Sequence, residues 1–162
     1  MTLIFNASPL IVLAKAGLLD RLIELADPAW VPQAVVDEIL RVDDENDPAR
    51  RWFERDAIPI QVRSTPPMSP FLAAWDLGAG ESAVISLAAG YTDGAVAVLD
   101  DLAARRCAEA HGIPFTGTLG LVLLAKKRGL LGSVSRSLEL IVAAGLHISP
   151  GIIAHCLAKA GE

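Results

Sequence analysis

The segment Ala95-Val-Ala-Val-Leu-Asp-Asp101 decides the fold. Its first five residues carry no polar side chain, and two adjacent carboxylates follow at once. An apolar run of that length, rich in Val and Ala, reads as a strand buried on both faces. Asp100-Asp101 then ends it and opens a helix that runs to His111, stopped by Gly112.

Working outward, the same alternation recurs. Leu3 to Phe5 reads as a short buried strand. Ser8-Pro9 reads as cap and first position of a helix reaching about Ala26, with Leu10, Leu13, Leu18, Leu22 and Leu25 on one face. Trp30-Val31 is a second short strand, and Pro32 opens a helix through about Arg41. Val42 to Pro48 is acidic and polar, a solvated loop, and Ala49 to Arg55 forms a short helix. Ile58 to Val62 alternates as a strand, and Ser64 to Pro70, with three prolines, is a loop. A short helix over Phe71 to Leu77 is broken by Gly78 to Gly80, and another follows with Val84, Ile85, Leu87 and Ala88. Ile113 to Phe115 is a further short strand. Helices over Leu119 to Arg128, Val134 to Ala143 and Pro150 to Ala160 close the chain. Strands alternating with helices predict an α/β fold whose parallel sheet is covered on both sides.

Bulk properties narrow the class. A chain of 162 residues, 52% hydrophobic, suits one domain spanning residues 1–162 with a real core. No run of about 20 apolar residues predicts a membrane span, and Met1 to Asn6 lacks a signal-peptide pattern. Cys107 and Cys156 form no C-x-x-C and read as buried thiols of a reducing compartment. The net charge of −5 argues against a broad DNA-coating surface. It leaves room for a nucleic acid at an acidic site whose cations supply positive charge.

Sites in parallel sheets form beyond the carboxyl ends of the strands. Asn6 follows the first strand, and Asp100 and Asp101 follow the most apolar one. Glu81 lies in a first helical turn on the face of Val84, Ile85 and Ala88. There it either complements the helix dipole or lines a site. Glu38 is a helical carboxylate beside an apolar face, which on pattern alone is solvated. One of the paired aspartates suffices as a cap, which leaves the other free. The histidines show no ligand spacing, and neither a serine elbow nor a P-loop is present. The acidic pair after an apolar strand also suits a receiver-like phosphotransfer domain, which lacks support elsewhere in the chain. Leu18, Leu19, Leu22 and Ile23 are either core or a groove for a partner.

Taken in order, six segments resemble the PIN-domain family, in its branch of small prokaryotic PIN-like proteins. They are Asn6-Ala-Ser-Pro-Leu-Ile11, Val31-Pro-Gln-Ala-Val-Val-Asp-Glu-Ile39, Leu77-Gly-Ala-Gly-Glu-Ser-Ala-Val-Ile85, Val98-Leu-Asp-Asp-Leu-Ala-Ala-Arg105, Thr116-Gly-Thr-Leu-Gly120 and Ala125-Lys-Lys-Arg-Gly-Leu130. The resemblance implies a three-layer α/β/α sandwich with a short, mostly parallel sheet. It implies a cytoplasmic Mg²⁺- or Mn²⁺-dependent endonuclease acting on single-stranded RNA, often the VapC-like toxin of a toxin–antitoxin pair, with an antitoxin and a homodimer as partners. It places Glu38, Glu81, Asp100 and Asp101 as catalytic acids and, with Asn6, as metal ligands. Ser8, Thr118 and Arg105 fall where substrate would be held. The family's first acid is Asn6 here, so a catalytically weak binding module is the alternative.

Overall fold

In the computed structural model, residues 1–91 and 94–162 are described. Five strands, β1 (Leu3–Phe5), β2 (Ala29–Pro32), β3 (Gln61–Arg63), β4 (Val96–Val98) and β5 (Phe115–Thr116), form one sheet in the order β3-β2-β1-β4-β5. Every pairing is parallel. The sequence predicts a mostly parallel sheet, and this one is parallel throughout.

The strand order follows from the apolar pattern. Leu3, Ile4 and Phe5 of β1 are each fully buried, so β1 takes the centre. Each such side chain contributes about 1.5–3 kcal/mol by leaving water. Gln61, Val62 and Arg63 are all exposed, so β3 takes an edge. From β1 the chain steps outward to β2 and β3, then returns to add β4 and β5 on the other side. The order reverses between β1 and β4, and there two neighbouring strand ends open a crevice. The backbone N–H of Asn6 donates to the Val98 carbonyl at 3.2 Å across this junction.

Among the described residues, ten α-helices surround the sheet: α1 (Ala7–Lys15), α2 (Leu19–Leu22), α3 (Gln33–Leu40), α4 (Pro48–Phe53), α5 (Pro70–Ala73), α6 (Ala79–Ala89), α7 (Leu102–Ala110), α8 (Thr118–Lys127), α9 (Val134–Ala143) and α10 (Pro150–Ala160). One layer holds α6, which packs on β2, β1 and β4, together with α7. In the other, α8 packs on α2, α9 and α10, and α9 reaches α1. Helix α3 bridges α1 and α6. Among the described residues no helix is long and apolar enough to cross a membrane.

Several boundaries differ from the sequence-based expectation. The helix expected over Ser8 to Ala26 is two helices and a 3-10 turn (Ile23–Leu25). Gly17, at φ +68°, turns the chain between them, a conformation that favours glycine. The leucine spacing simply resumes on the next helix and hides the break. Ser8 does not cap α1; Asn6 holds the N-cap position, and Ser8 lies one residue inside the helix. The third strand is Gln61–Arg63 rather than Ile58 to Val62, because an exposed edge strand has no buried face to set its register. Gly78 to Gly80 do not break a helix but begin one. Leu18, Leu19, Leu22 and Ile23 are all buried, so they build core and leave no partner groove. Cys107 and Cys156 are free and buried, as expected.

Candidate active site at the ends of the two central strands

Asn6 is the residue on which the crevice is built. It follows the central strand and is 2% exposed. Its side chain does not cap α1. Instead Nδ2 donates to Glu81 Oε1 at 3.0 Å. Its other polar atom, Oδ1, is buried without a hydrogen-bond partner among the described residues. A buried acceptor left in that state costs about 1–3 kcal/mol, so this oxygen calls for an external partner.

Two glycines make the space for this arrangement. A β-carbon on Gly80 would lie 2.9 Å from Asn6 Oδ1 and 2.9 Å from Glu38 Oε2. Both oxygens therefore converge on the same small volume beside Gly80. A β-carbon on Gly78 would collide with Glu81 Oε2, because the Glu81 carboxylate folds back over the first residue before its helix. In the sequence these glycines read only as helix breakers. Burial of Gly80 on a helix facing two polar residues is the signal of their role, and it is visible only in three dimensions.

Glu38 is exposed, as its helix pattern predicts, yet its Oε2 faces the space beside Gly80. Partial burial, and then the like charge of Glu81, push its carboxyl above the usual carboxylate range. Two carboxylates close enough to feel each other, with an orphaned amide oxygen beside the space that Glu38 faces, are hard oxygen donors. That set suits Mg²⁺ or Mn²⁺. Among the described residues, however, no three His, Cys, Asp or Glu side chains come together closely enough to form a metal-holding group. The amide of Asn6 brings an uncharged oxygen to the same space as the Glu38 carboxylate.

Asp100 and Asp101 diverge. Asp101 is exposed, and its Oδ1 accepts the Ala104 N–H at 2.8 Å as the N-cap of α7. Asp100 points inward instead. Its Oδ1 accepts the Thr118 N–H at 2.8 Å, and its Oδ2 accepts the Thr118 hydroxyl at 2.6 Å. Thr118 is fully buried and gives both its donors to Asp100, so it reaches no substrate directly. Arg105 Nη2 stands 3.5 Å from Asp100 Oδ1, and Arg105 Nε donates to the Leu99 carbonyl at 2.8 Å. Ser8 is exposed in the first turn of α1, two residues from Asn6.

The molecule is thus an all-parallel α/β sandwich with amide and carboxylate oxygens near its switch point. The model of the PIN-domain family DUF3368 matches residues 2–162, and the chain belongs to that family. No significant match was found among curated proteins or among solved structures.

Proposed function

We propose that this PIN domain is a divalent-cation-dependent endonuclease of single-stranded RNA. The observation that carries the reading is the buried, unpartnered Asn6 Oδ1, which faces the Gly80 space together with Glu38 Oε2. Asn6, Glu38 and Glu81 would hold Mg²⁺ or Mn²⁺, with Asp100 at the neighbouring strand end. When bound, such an ion supplies activation of water and stabilisation of a leaving oxygen. The protein's own contribution is positional. Asn6 fixes Glu81 through its amide, and Thr118 fixes Asp100 through two donors. Asp101 supports the site by capping α7, which carries Arg105. Ser8 is offered at the surface for contact with a phosphate. On the same reading the protein is a cytoplasmic, homodimeric toxin held in check by an antitoxin.

One observation favours a second reading, a binding module that holds RNA or an antitoxin without cutting. Asn6 brings an oxygen but no charge, and its amide already engages Glu81. A labelled RNA panel incubated with Mn²⁺, with an EDTA control, decides between them. Cleavage that EDTA stops and that Glu81→Ala abolishes is expected. Retention of RNA on a gel without any cleavage would establish the second reading instead. Co-purification of a small protein from the native host tests the antitoxin.

A further inference from the structure

One face of α6 carries small side chains. Ala79, Ser82, Ala83 and Ser86 lie three and four residues apart and so share that face. Opposite them stands the loop before α5, with Pro66 and Met68, and the space between is a cavity of about 380 Å³. Its loop wall is fixed at both ends. Pro66 seats on Gly90, where a β-carbon would lie 2.9 Å from Pro66 Cγ. Leu72 of α5 is buried in the core.

Ser86 gives the cavity an unfinished polar point. It lines the cavity at 6% exposure, and its Oγ is buried without a hydrogen-bond partner among the described residues. Ser82, one turn earlier, is engaged: its Oγ donates to the Leu77 carbonyl at 3.4 Å. A buried hydroxyl left open favours an occupant that can hydrogen-bond it. Among the described residues no charged side chain lines the cavity, so a phosphate or carboxylate finds no counter-charge there. The occupant that fits is neutral, with apolar faces for Pro66 and Met68 to cover and a polar edge.

The cavity adjoins the strand-end acids. Ala79 lines it, while β-carbons on the flanking Gly78 and Gly80 would meet Glu81, Asn6 and Glu38. Cavity and acids are thus separated by one helix, a thickness of about 10–12 Å, which neighbouring nucleotides of an extended strand can span. We propose that this cavity takes one base of a single-stranded RNA lying across the start of α6, its face against Pro66 and Met68 and its edge at Ser86 Oγ. The inference rests on the RNA reading above.

Short RNA strands with one abasic position, moved along the strand, test this on the full chain in Mn²⁺. They are phosphorothioate-linked to resist cleavage. Affinity is read by fluorescence anisotropy for the wild type and for Ala83→Leu, whose larger side chain fills the cavity. At one position, loss of the base should weaken wild-type binding about tenfold, the scale of one stacked base. The same loss should leave Ala83→Leu nearly unaffected. Ser86→Ala should weaken binding of the complete strand roughly fivefold, the scale of one neutral hydrogen bond, and melt no lower than the wild type. It serves if Ala83→Leu fails to fold. Abasic positions that cost the wild type and the filled variant alike, with Ser86→Ala binding as the wild type does, overturn the inference and leave the RNA reading standing. So does a free nucleoside that binds the wild type as tightly as the strand does, or a changed oligomeric state of Ala83→Leu at unchanged RNA affinity. If the wild type binds no RNA, the proposed function falls and this inference with it.

Discussion

Asn6 Nδ2 donates to Glu81 Oε1 at 3.0 Å, across 75 residues of sequence, while the amide's own oxygen stays buried and unpartnered among the described residues. The amide therefore does two things at the sheet's switch point. It supplies a donor to a carboxylate that has a second carboxylate beside it. It also leaves an oxygen facing the space that Glu38 shares. An aspartate could do only the second.

The Asn6→Asp substitution follows directly. It removes the donor to Glu81 and places a third carboxylate beside Glu38 and Glu81. The metal-free protein should lose about 1–3 kcal/mol, the scale of a broken, partly buried polar pair. Affinity for Mn²⁺ should rise, since the ion then meets one more negative charge. Thermal melts without metal and Mn²⁺ titration calorimetry check the two halves. Equal Mn²⁺ affinities in the two proteins would remove Asn6 from the metal site.

Gly80→Ala tests the space itself. A methyl group there would stand 2.9 Å from both Asn6 Oδ1 and Glu38 Oε2, well inside contact distance. Gly80 lies in the first turn of α6, where alanine gains little of the roughly 1 kcal/mol it holds over glycine in a helix interior, so backbone propensity does not oppose the change. The variant should stay folded and lose the rise in melting temperature that Mn²⁺ gives the wild type through binding to the folded state. A Mn²⁺ response equal to that of the wild type would show that nothing binds beside Gly80.

Much of this architecture is legible in the sequence because burial leaves a plain mark. Ala95 to Leu99 is apolar on every residue and could only be an interior strand. Asn6, Glu81 and Asp100 stand out because polar groups immediately follow or flank such apolar segments. What the sequence does not display is direction. Asp100 and Asp101 are adjacent and chemically identical, yet one turns inward to Thr118 and the other outward to cap α7. That choice depends on β5 delivering Thr118 beside β4, a contact 18 residues away. Gly78 and Gly80 are equally silent in the sequence, because a glycine required by a neighbour's side chain resembles one required by a turn. The edge strand Gln61–Arg63 lies beyond most of the Ile58 to Val62 alternation for the opposite reason: its own three residues are all exposed and leave no buried face.

Glu38→Gln tests the repulsion between the two acids. Burial, and then the charge of Glu81, raise the carboxyl of Glu38. An acid with a raised folded-state pKa burdens the folded protein above that pKa and is relieved as the pH falls through it. At neutral pH the glutamine variant, which has no charge to repel, should therefore melt at a higher temperature than the metal-free wild type. The gain should shrink as the pH is lowered toward the ordinary carboxylate range, where Glu38 of the wild type is itself protonated. Melts from neutral pH into the acid range check it. A wild type more stable than the variant at neutral pH would mean that Glu38 has a favourable partner in the folded chain.

Glu162 gives the opposite pH dependence, at a place remote from the strand ends. Its carboxylate closes the start of α9, accepting the N–H of Ser135 at 2.9 Å, the N–H of Val134 at 2.8 Å and the Ser133 hydroxyl at 3.0 Å. Lys126 adds an ion pair at 2.9 Å. The N–H groups of Ser135 and Val134, then Lys126, lower its pKa to about 2 from an ordinary 4.5. A carboxylate with a depressed folded-state pKa stabilises the fold above the unfolded value, and that contribution is lost as pH falls through the folded one. Stability from Glu162 is thus fully present above about pH 4.5 and fades between there and about pH 2. Glu162→Gln keeps one acceptor oxygen but loses the charge. It should melt below the wild type at neutral pH and converge with it as the pH approaches 2. The difference should narrow in high salt by the share that belongs to Lys126, since the N–H contacts to the start of α9 are less exposed to screening. Melting curves of both proteins across this range, at low and high salt, make the comparison. Parallel curves with a constant gap down to the lowest pH would show that the carboxylate's charge contributes nothing and that only its shape holds α9.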